Sequence, residues 1–536
     1  MTQDKPSRPM WHRATLMVWI GLLILLAGCA TPIQVERVNP SDVQRELTSN
    51  VISTGQISPE TQIVLQQRGL WQLYPNDPQA AIAILHRAVV NGEASPNTVF
   101  ALAEMSFRYA EHTDNQPYYL AAAVYAFAFL FPNDRAQRPD EFDPRVRIAT
   151  DIYNRSLTST FASADRSRVV FSSGTYELPF GTIDIVFDSA TARWGHLVLS
   201  DDFTPADELR ITGLRSRYRY YGIGASLAAD VSSDAKEAGF QVDPYLKVPV
   251  TALLRVDLAP RDFAQGHLHG RIDLYPVHDA SEVRVDGQSV PLQGDPSAAF
   301  AYGLSDPNIW RSEYAGFLRG DFFDRAPSQL VALQPFAPDQ IPAVFIHGTA
   351  SSAGRWANLI NDLQSDPVIR DHYQFWLFSY NTGNPIPFSA LQLRTALESA
   401  VRKLDPAGNH PALHDMVLIG HSQGGLLAKM LVIDSGSRLW DAFSSEPLDR
   451  FRVSESTREL LREALFVKPL PEVRRVIFIA TPQHGSYVAG SWIGQLAARF
   501  VTLPIRLSTG LAEVLQGNVD ALRVNRGVGA LAASGG

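Results

Sequence analysis

A chain of 536 residues with 45% hydrophobic and 19% charged residues is ordinary globular matter, with room for roughly two to four domains, and not a disordered or fibrous protein. Its formal net charge of -8 offers no electrostatic footprint for nucleic acid. A single cysteine excludes an internal disulfide framework.

Lys5, Arg8 and Arg13 give the chain a positive start, with no acidic residue among them after Asp4, and Leu16 to Ala27 is then almost wholly apolar. That run is too short to cross a hydrocarbon core of ~30 Å as a helix, and it suits the h-region of a secretory signal. It ends in Leu26-Ala27-Gly28-Cys29, where small residues precede the one cysteine. The segment resembles the lipobox of bacterial lipoproteins; the competing reading is a single-pass anchor with a chance cysteine. The resemblance implies that residues 1–28 are removed and that Cys29 is diacylated as the mature N-terminus. Acyl chains contribute about 0.8 kcal/mol per buried CH₂, so several of them hold a protein firmly on a membrane. Ala30, in place of Asp, implies by the same resemblance the outer membrane, facing the periplasm.

Residues 29–58 are polar and mixed and are expected to form a tether. From 59 to 165 apolar residues recur at helical spacing, as in Ala81-Ile82-Ile84-Leu85-Ala88-Val89, Val99-Leu102-Ala103-Phe107 and Leu120-Val124-Phe127-Leu130. Pro75, Pro78, Pro96, Pro117 and Pro132 separate the segments, and a further helix is expected from Arg145 to Phe161. This small helical region offers a surface for a protein partner.

Residues 166–330 change character to short β-rich runs, among them Ile183-Ile185-Phe187, Val250-Ala252-Leu254-Val256 and Ile272-Leu274, with turn signals at Ser173-Gly174 and Asp286-Gly287. His267 and His269 share one face of such a strand, but no cysteine or obvious carboxylate set lies near them in sequence. No metal is therefore expected, and residues 166–330 read as a β-rich accessory domain.

After Pro327, Pro335, Pro338 and Pro342 strands and helices alternate: strands at 343–346, 374–379, 416–419 and 475–480, helices at 356–363, 389–404 and 424–433. Alternation of this kind predicts a mostly parallel sheet with helices on both faces. Within it, Met416-Val417-Leu418-Ile419-Gly420-His421-Ser422-Gln423-Gly424-Gly425 contains G-x-S-x-G. A chain of this length holds roughly 0.2 such matches by accident, so context decides. An apolar strand runs into the motif, and Leu426, Leu427, Met430 and Leu431 follow at helical spacing, the strand–turn–helix setting of a nucleophile elbow. Gly420 and Gly424 leave room for the tight turn, and the Ser422 hydroxyl is lifted to a helix N-terminus that favours a developing anion. A helix-start serine with glycines for packing is the competing reading.

Ala343-Val344-Phe345-Ile346-His347-Gly348-Thr349 is a strand emptying into an H-G loop, and Thr481-Pro482-Gln483-His484-Gly485-Ser486 follows the strand after the elbow. With these segments the region from about 335 to 500 resembles the serine α/β-hydrolases of bacterial lipase and esterase type. The resemblance implies an α/β-hydrolase domain over 335–536, Ser422 as nucleophile, and the backbone amides of Thr349 and Gln423 as the oxyanion hole. It also implies that His347 supports the oxyanion loop and that the insertion 434–471, with Leu439, Trp440, Phe443, Phe451 and Leu460, forms a cap over an acyl pocket. A surface helix pair is the plain alternative for that insertion.

Such enzymes place an acid and then a histidine after the serine. Here one histidine follows, His484, in a segment whose histidine is not the usual base; His421 in an elbow points away from the hydroxyl, and the tail holds a single Asp, Asp520. The expectation is a chain truncated or frameshifted near Arg523 relative to its relatives. Two functions follow: a membrane-anchored hydrolase of carboxylic esters or lipids acting through an acyl-enzyme on Ser422, or an inactive hydrolase-fold lipoprotein that binds envelope partners. A thioesterase, amidase or transacylase uses the same groups. No phosphate loop, zinc signature or dinucleotide fingerprint occurs, so no cofactor is expected.

Overall fold

The computed structural model describes residues 35–483, except 190–191, 232–240, 244, 306–327, 350, 352 and 383, together with Asn518. The lipobox with Cys29, His484 of the T-P-x-x-G-S segment, Asp520 and the tail around Arg523 lie outside the described residues.

The N-terminal half begins with helices α1 (Pro40–Leu47), α2 (Val51–Thr54), α3 (Pro59–Gln67), α4 (Pro78–Val90), α5 (Pro96–Thr113), α6 (Gln116–Leu130) and α7 (Pro144–Thr160). Proline opens six of them within the first turn, where its missing N–H costs nothing. Ser58, Asp77 and Asp143 cap α3, α4 and α7 by accepting the amides of Thr61, Ala80 and Arg145 at 3.4, 3.0 and 2.9 Å. Helix α6 is apolar nearly all round and is buried from Tyr118 to Leu130, with Ala128 alone half-buried, as a helix at the centre of a core must be.

The polar stretch expected as a tether through residue 58 is already part of this core at Val51, which is buried with Ile57. Buried Glu104 of α5 holds it there, accepting the amide of Val51 at 3.2 Å and both the amide and hydroxyl of Ser58 at 2.9 and 2.7 Å. Two isolated apolar positions are too few for a periodicity to reveal.

Strands follow: β1 (Val169–Val170), β2 (Gly174–Leu178), β3 (Gly181–Phe187), β4 (Arg193–Trp194), β5 (Leu197–Pro205), β6 (Ala225–Val231), β7 (Gln241–Val242), β8 (Lys247–Asp257), β9 (His267–Pro276), β10 (Glu282–Val285) and β11 (Gln288–Pro291). Helices α8 (Pro260–Gln265) and α9 (Pro296–Leu304) also fall here. The first sheet runs β1-β5-β6-β8-β9-β3-β2, with β4 on β5. Asp286 and Gly287, at φ 48° and 79°, turn the β10–β11 hairpin, as their dipeptide predicts. Ser173-Gly174, expected as a turn, instead leads directly into β2. One hydrophobic cluster runs from Val51 through the helices to Leu292, so helices and first sheet share a core.

The second sheet comprises β12 (Gln329–Ala332), β13 (Ile341–Ile346), β14 (Tyr373–Ser379), β15 (Met416–His421) and β16 (Val473–Ile479), in the order β16-β15-β13-β14-β12-β7. β16, β15, β13 and β14 are mutually parallel and β12 runs antiparallel to β14. Around it lie α10 (Ala357–Ser365), α11 (Pro367–His372), α12 (Ile386–Leu404), α13 (Gln423–Met430), α14 (Arg438–Phe443) and α15 (Glu455–Leu465). Alternate side chains of β13 feed two cores. Val344 and Ile346 pack with Leu393, Leu397 and Leu427 of α12 and α13, while Ala343 and Phe345 pack with Trp356 and with Ile360 of α10. Both faces of a parallel sheet are thereby covered. Among the described residues β16 is the sheet's edge, and Ile477, Phe478 and Ile479 are exposed on it. Trp440, Leu448, Phe451, Ala464 and Leu465 of the insertion form their own small core, against which Leu391 of α12 packs. Among the described residues no helix is long and apolar enough to cross a membrane.

Candidate active site

Strand β15 ends at His421, helix α13 begins at Gln423, and Ser422 alone makes the turn, at φ 54° and ψ -120°. That conformation is sparsely populated for a residue with a Cβ and is kept only where the surroundings impose it. Here the imposition is local packing. A Cβ on Gly420 would stand 2.5 Å from the Cα of Gly425, and one on Gly424 would stand 2.3 Å from the carbonyl oxygen of Ile346. On the other side the Ser422 amide donates to the Ile479 carbonyl of β16 at 2.9 Å. Ser422 is thus presented half-buried at the first turn of α13, where unpaired amides and the helix dipole favour negative charge.

The H-G loop after β13 reaches this turn. A Cβ on Gly348 would lie 2.8 Å from the Ser422 Cβ, so the loop backbone passes directly beside Ser422. Thr349 donates its hydroxyl to the Gln423 side-chain carbonyl at 2.7 Å, and buried Gln423 donates its amide to the Thr382 carbonyl at 3.2 Å. The backbone amides of Thr349 and Gln423 have no acceptor among the described residues. Ser422, Thr349 and Gln423, named from the sequence, are therefore brought together.

His347 is buried and stacks on Tyr380, with ring centroids 4.6 Å apart. Its Nε2 accepts the Tyr380 amide at 3.3 Å, which leaves Nδ1 to carry the proton toward the Gly348 carbonyl at 3.1 Å. The Tyr380 hydroxyl closes the arrangement by donating to the His347 carbonyl at 2.9 Å, and burial pushes that phenol's pKa well up. His347 is consequently a brace for the loop. His421 is exposed, meets Trp356 edge-on at 6.4 Å, and lies beside Gly348, where a Cβ would stand 3.0 Å from its Nδ1. Among the described residues no side chain hydrogen-bonds the Ser422 hydroxyl, and His484 falls outside them.

Two partners escaped the sequence reading. Tyr380 and Thr382 follow the end of β14, and a polar Tyr-Asn-Thr run at the carboxyl end of a parallel strand is the signal that marks them. Thr481 lies against Gly425, where a Cβ would meet its Oγ1 at 1.9 Å; the second glycine of the Gly-Gly pair is required by this packing.

Residues 337–439, from before β13 to the start of the insertion, match the family described as the PGAP1-like alpha/beta domain. No curated protein matches the chain. Two solved structures are similar to parts of it, both of the Bacillus licheniformis lipase BlEst2. The propeptide form is 19% identical over 32% of this chain and 30% of that one, with a TM-score of 0.19. The mature form is 17% identical over 35% of this chain and 66% of that one, also with a TM-score of 0.19. The chain thus spans less than two thirds of either lipase structure. The parallel sheet covered on both faces, the strained serine between β15 and α13, and the matched family together establish that the C-terminal region of this chain has an α/β-hydrolase fold.

Proposed function

We propose that the chain is a membrane-anchored serine hydrolase that cleaves carboxylic esters of lipase or esterase type through an acyl-enzyme on Ser422. The observation that carries this reading is Ser422 itself, at φ 54° with the backbone of Gly348 packed against it. Strain of this kind costs roughly 1–3 kcal/mol and gathers at functional positions.

In the reaction the Ser422 oxygen attacks the ester carbonyl while its proton passes to a base. The resulting oxyanion lies against the amides of Thr349 and Gln423; collapse, with the base handing its proton to the departing oxygen, expels the alcohol and leaves the acyl group on Ser422. Water, losing a proton to the same base, then attacks the acyl carbon, and the bond to Ser422 breaks as the base returns that proton to the Ser422 oxygen, releasing the carboxylic acid. His484, the one histidine after Ser422, is the candidate base. The insertion 434–471 serves as a cap, since its Trp440 and Phe451 form an apolar body resting on α12. Cys29 carries the acyl anchor, placing the site at the periplasmic side of the outer membrane with ester lipids as accessible substrates.

The test compares wild type with Ser422→Ala on p-nitrophenyl esters of graded acyl length. Turnover confined to the wild type supports the reading, and equal rates in the two sink it. Palmitate incorporation that is lost in Cys29→Ala tests the anchor separately.

A further inference from the structure

Strands β3 and β9 lie side by side in parallel inside the first sheet, paired so that Thr182 stands opposite His267 and Asp184 opposite His269. Side chains two apart on a strand share a face. The pairing therefore brings a carboxylate to the two histidines that the sequence left without one. The ligand atoms of Asp184, His267 and His269 all lie within 4.8 Å of one another, and among the described residues this is the one group of His, Cys, Asp or Glu so arranged. His267 Nε2 is 3.1 Å from Asp184 Oδ2, and the two imidazoles meet edge to face with centroids 5.0 Å apart.

Neighbours already orient the group. His267 Nδ1 is 2.9 Å from the Thr182 hydroxyl, which turns Nε2 toward the carboxylate. Thr175 donates to Asp184 Oδ1 at 2.6 Å and leaves Oδ2 facing the imidazole. Hydrogen bonds of this kind, from behind a ligand, hold metal-binding side chains in place. Arg271, next along the same face, is held to Asp273 at 2.8 Å, a carboxylate that it shares with Arg255.

We propose that Asp184, His267 and His269 form a binding site for a divalent transition-metal ion, zinc above all, with water completing the coordination. Imidazole nitrogen with a single carboxylate suits zinc, copper or nickel, whereas calcium and magnesium demand oxygen ligands. Zinc bonds of ~2.0–2.2 Å in a tetrahedron set adjacent ligand atoms roughly 3.4 Å apart, so the 3.1 Å between Nε2 and Oδ2 needs to open by only a few tenths of an ångström. The side chains of His267 and Asp184 are 47% and 41% exposed, which lets the ion enter from solvent with no strand displaced. Bound there, the metal ties β3 to β9 and leaves the serine site alone. This inference does not rest on the proposed hydrolase activity.

The test uses the full chain in detergent, stripped by chelator, dialysed and titrated with zinc by calorimetry. One saturable equivalent is expected, with a rise in unfolding temperature. His269→Ala and Asp184→Asn should each weaken binding at least tenfold and remove the rise. Asp184→Asn keeps the side chain's shape, so it tests the site even should His269→Ala disturb the strand. Visible absorption of the cobalt-loaded chain, lost in both variants, is the second readout. No saturable binding in the wild type, or undiminished binding in both variants, overturns the proposal.

Discussion

Thr349 donates its hydroxyl to the side-chain carbonyl of Gln423 across 2.7 Å, and Gln423 passes its amide on to the Thr382 carbonyl at 3.2 Å. One buried glutamine thereby ties the loops after β13 and β14 to the residue that follows Ser422. The two residues whose backbone amides are proposed as the oxyanion hole are thus joined through their own side chains.

Thr349→Val keeps the side chain's volume and removes the donor. A hydrogen bond of this type contributes about 1 kcal/mol net, equivalent to about a fivefold change in rate. Ester turnover should fall about fivefold, chiefly in kcat, with folding stability lower by about 1 kcal/mol because the buried Gln423 carbonyl loses its donor. Unaltered kcat in Thr349→Val would show that the tie does not position the oxyanion hole.

Gly425→Ala sets two effects against each other. Alanine is the better helix former by about 1 kcal/mol. Its Cβ, however, would sit 1.9 Å from Thr481 Oγ1 and 2.9 Å from Thr481 Cβ, so no rotation of the threonine relieves the contact. Overpacking wins: the variant should lose about 1–3 kcal/mol in denaturant titration. Adding Thr481→Gly should recover part of the loss, and strictly additive effects in the double variant would contradict the contact.

Ser422→Gly should stabilise the fold while abolishing any reaction. Glycine adopts φ 54° freely, and the strain it removes exceeds the extra freedom it gives the unfolded chain. A net gain of about 1 kcal/mol, or ~2–4 °C in Tm, is expected from calorimetry. A lower Tm for Ser422→Gly would show that the turn is unstrained.

His278 provides a pH signature. Burial, with a smaller push from Arg370, lowers its imidazole from 6.5 to about 4, and its Nδ1 is shut off from solvent without a partner. The unfolded chain takes up a proton near pH 6.5 that the folded chain refuses until about 4. Stability from this group is therefore complete above pH 6.5 and is lost as pH falls toward 4, by the order of 2–3 kcal/mol. Neighbouring Asp279 is raised by burial, so its contribution is greatest in acid and fades as pH rises through its raised value. The difference between wild type and His278→Gln isolates the histidine: the variant should show the shallower fall in Tm between pH 7 and 4.5. Parallel curves would place His278 in water.

Much of the candidate site was legible because its signals are local. Gly420, Ser422 and Gly424 sit between an apolar strand and a helical pattern, and the structure turns the chain there as that spacing requires. His347 as a brace was legible only through family resemblance, since its partner Tyr380 lies 33 positions on, at the end of β14. Pairings between distant strands were not legible at all. Thr182 meets His267 across 85 positions, and nothing in either strand announces which neighbour it takes. The absence of a metal was expected for that reason, because the carboxylate that completes the group comes from another strand. β7 is a similar case: two residues, Gln241 and Val242, extend the second sheet by pairing with β12. Glu104 escaped notice because a carboxylate on an apolar helix face reads as an exception, whereas here it holds Val51 and Ser58 in the core.

The most direct test of a serine nucleophile at the elbow is fluorophosphonate labelling of the folded chain, read by intact mass beside Ser422→Ala. One adduct on the wild type, mapped to the peptide bearing Ser422 and absent from the variant, is the predicted result. A wild-type chain that is folded yet takes no label, or takes the same label as Ser422→Ala, would contradict it and leave a hydrolase fold that binds without reacting.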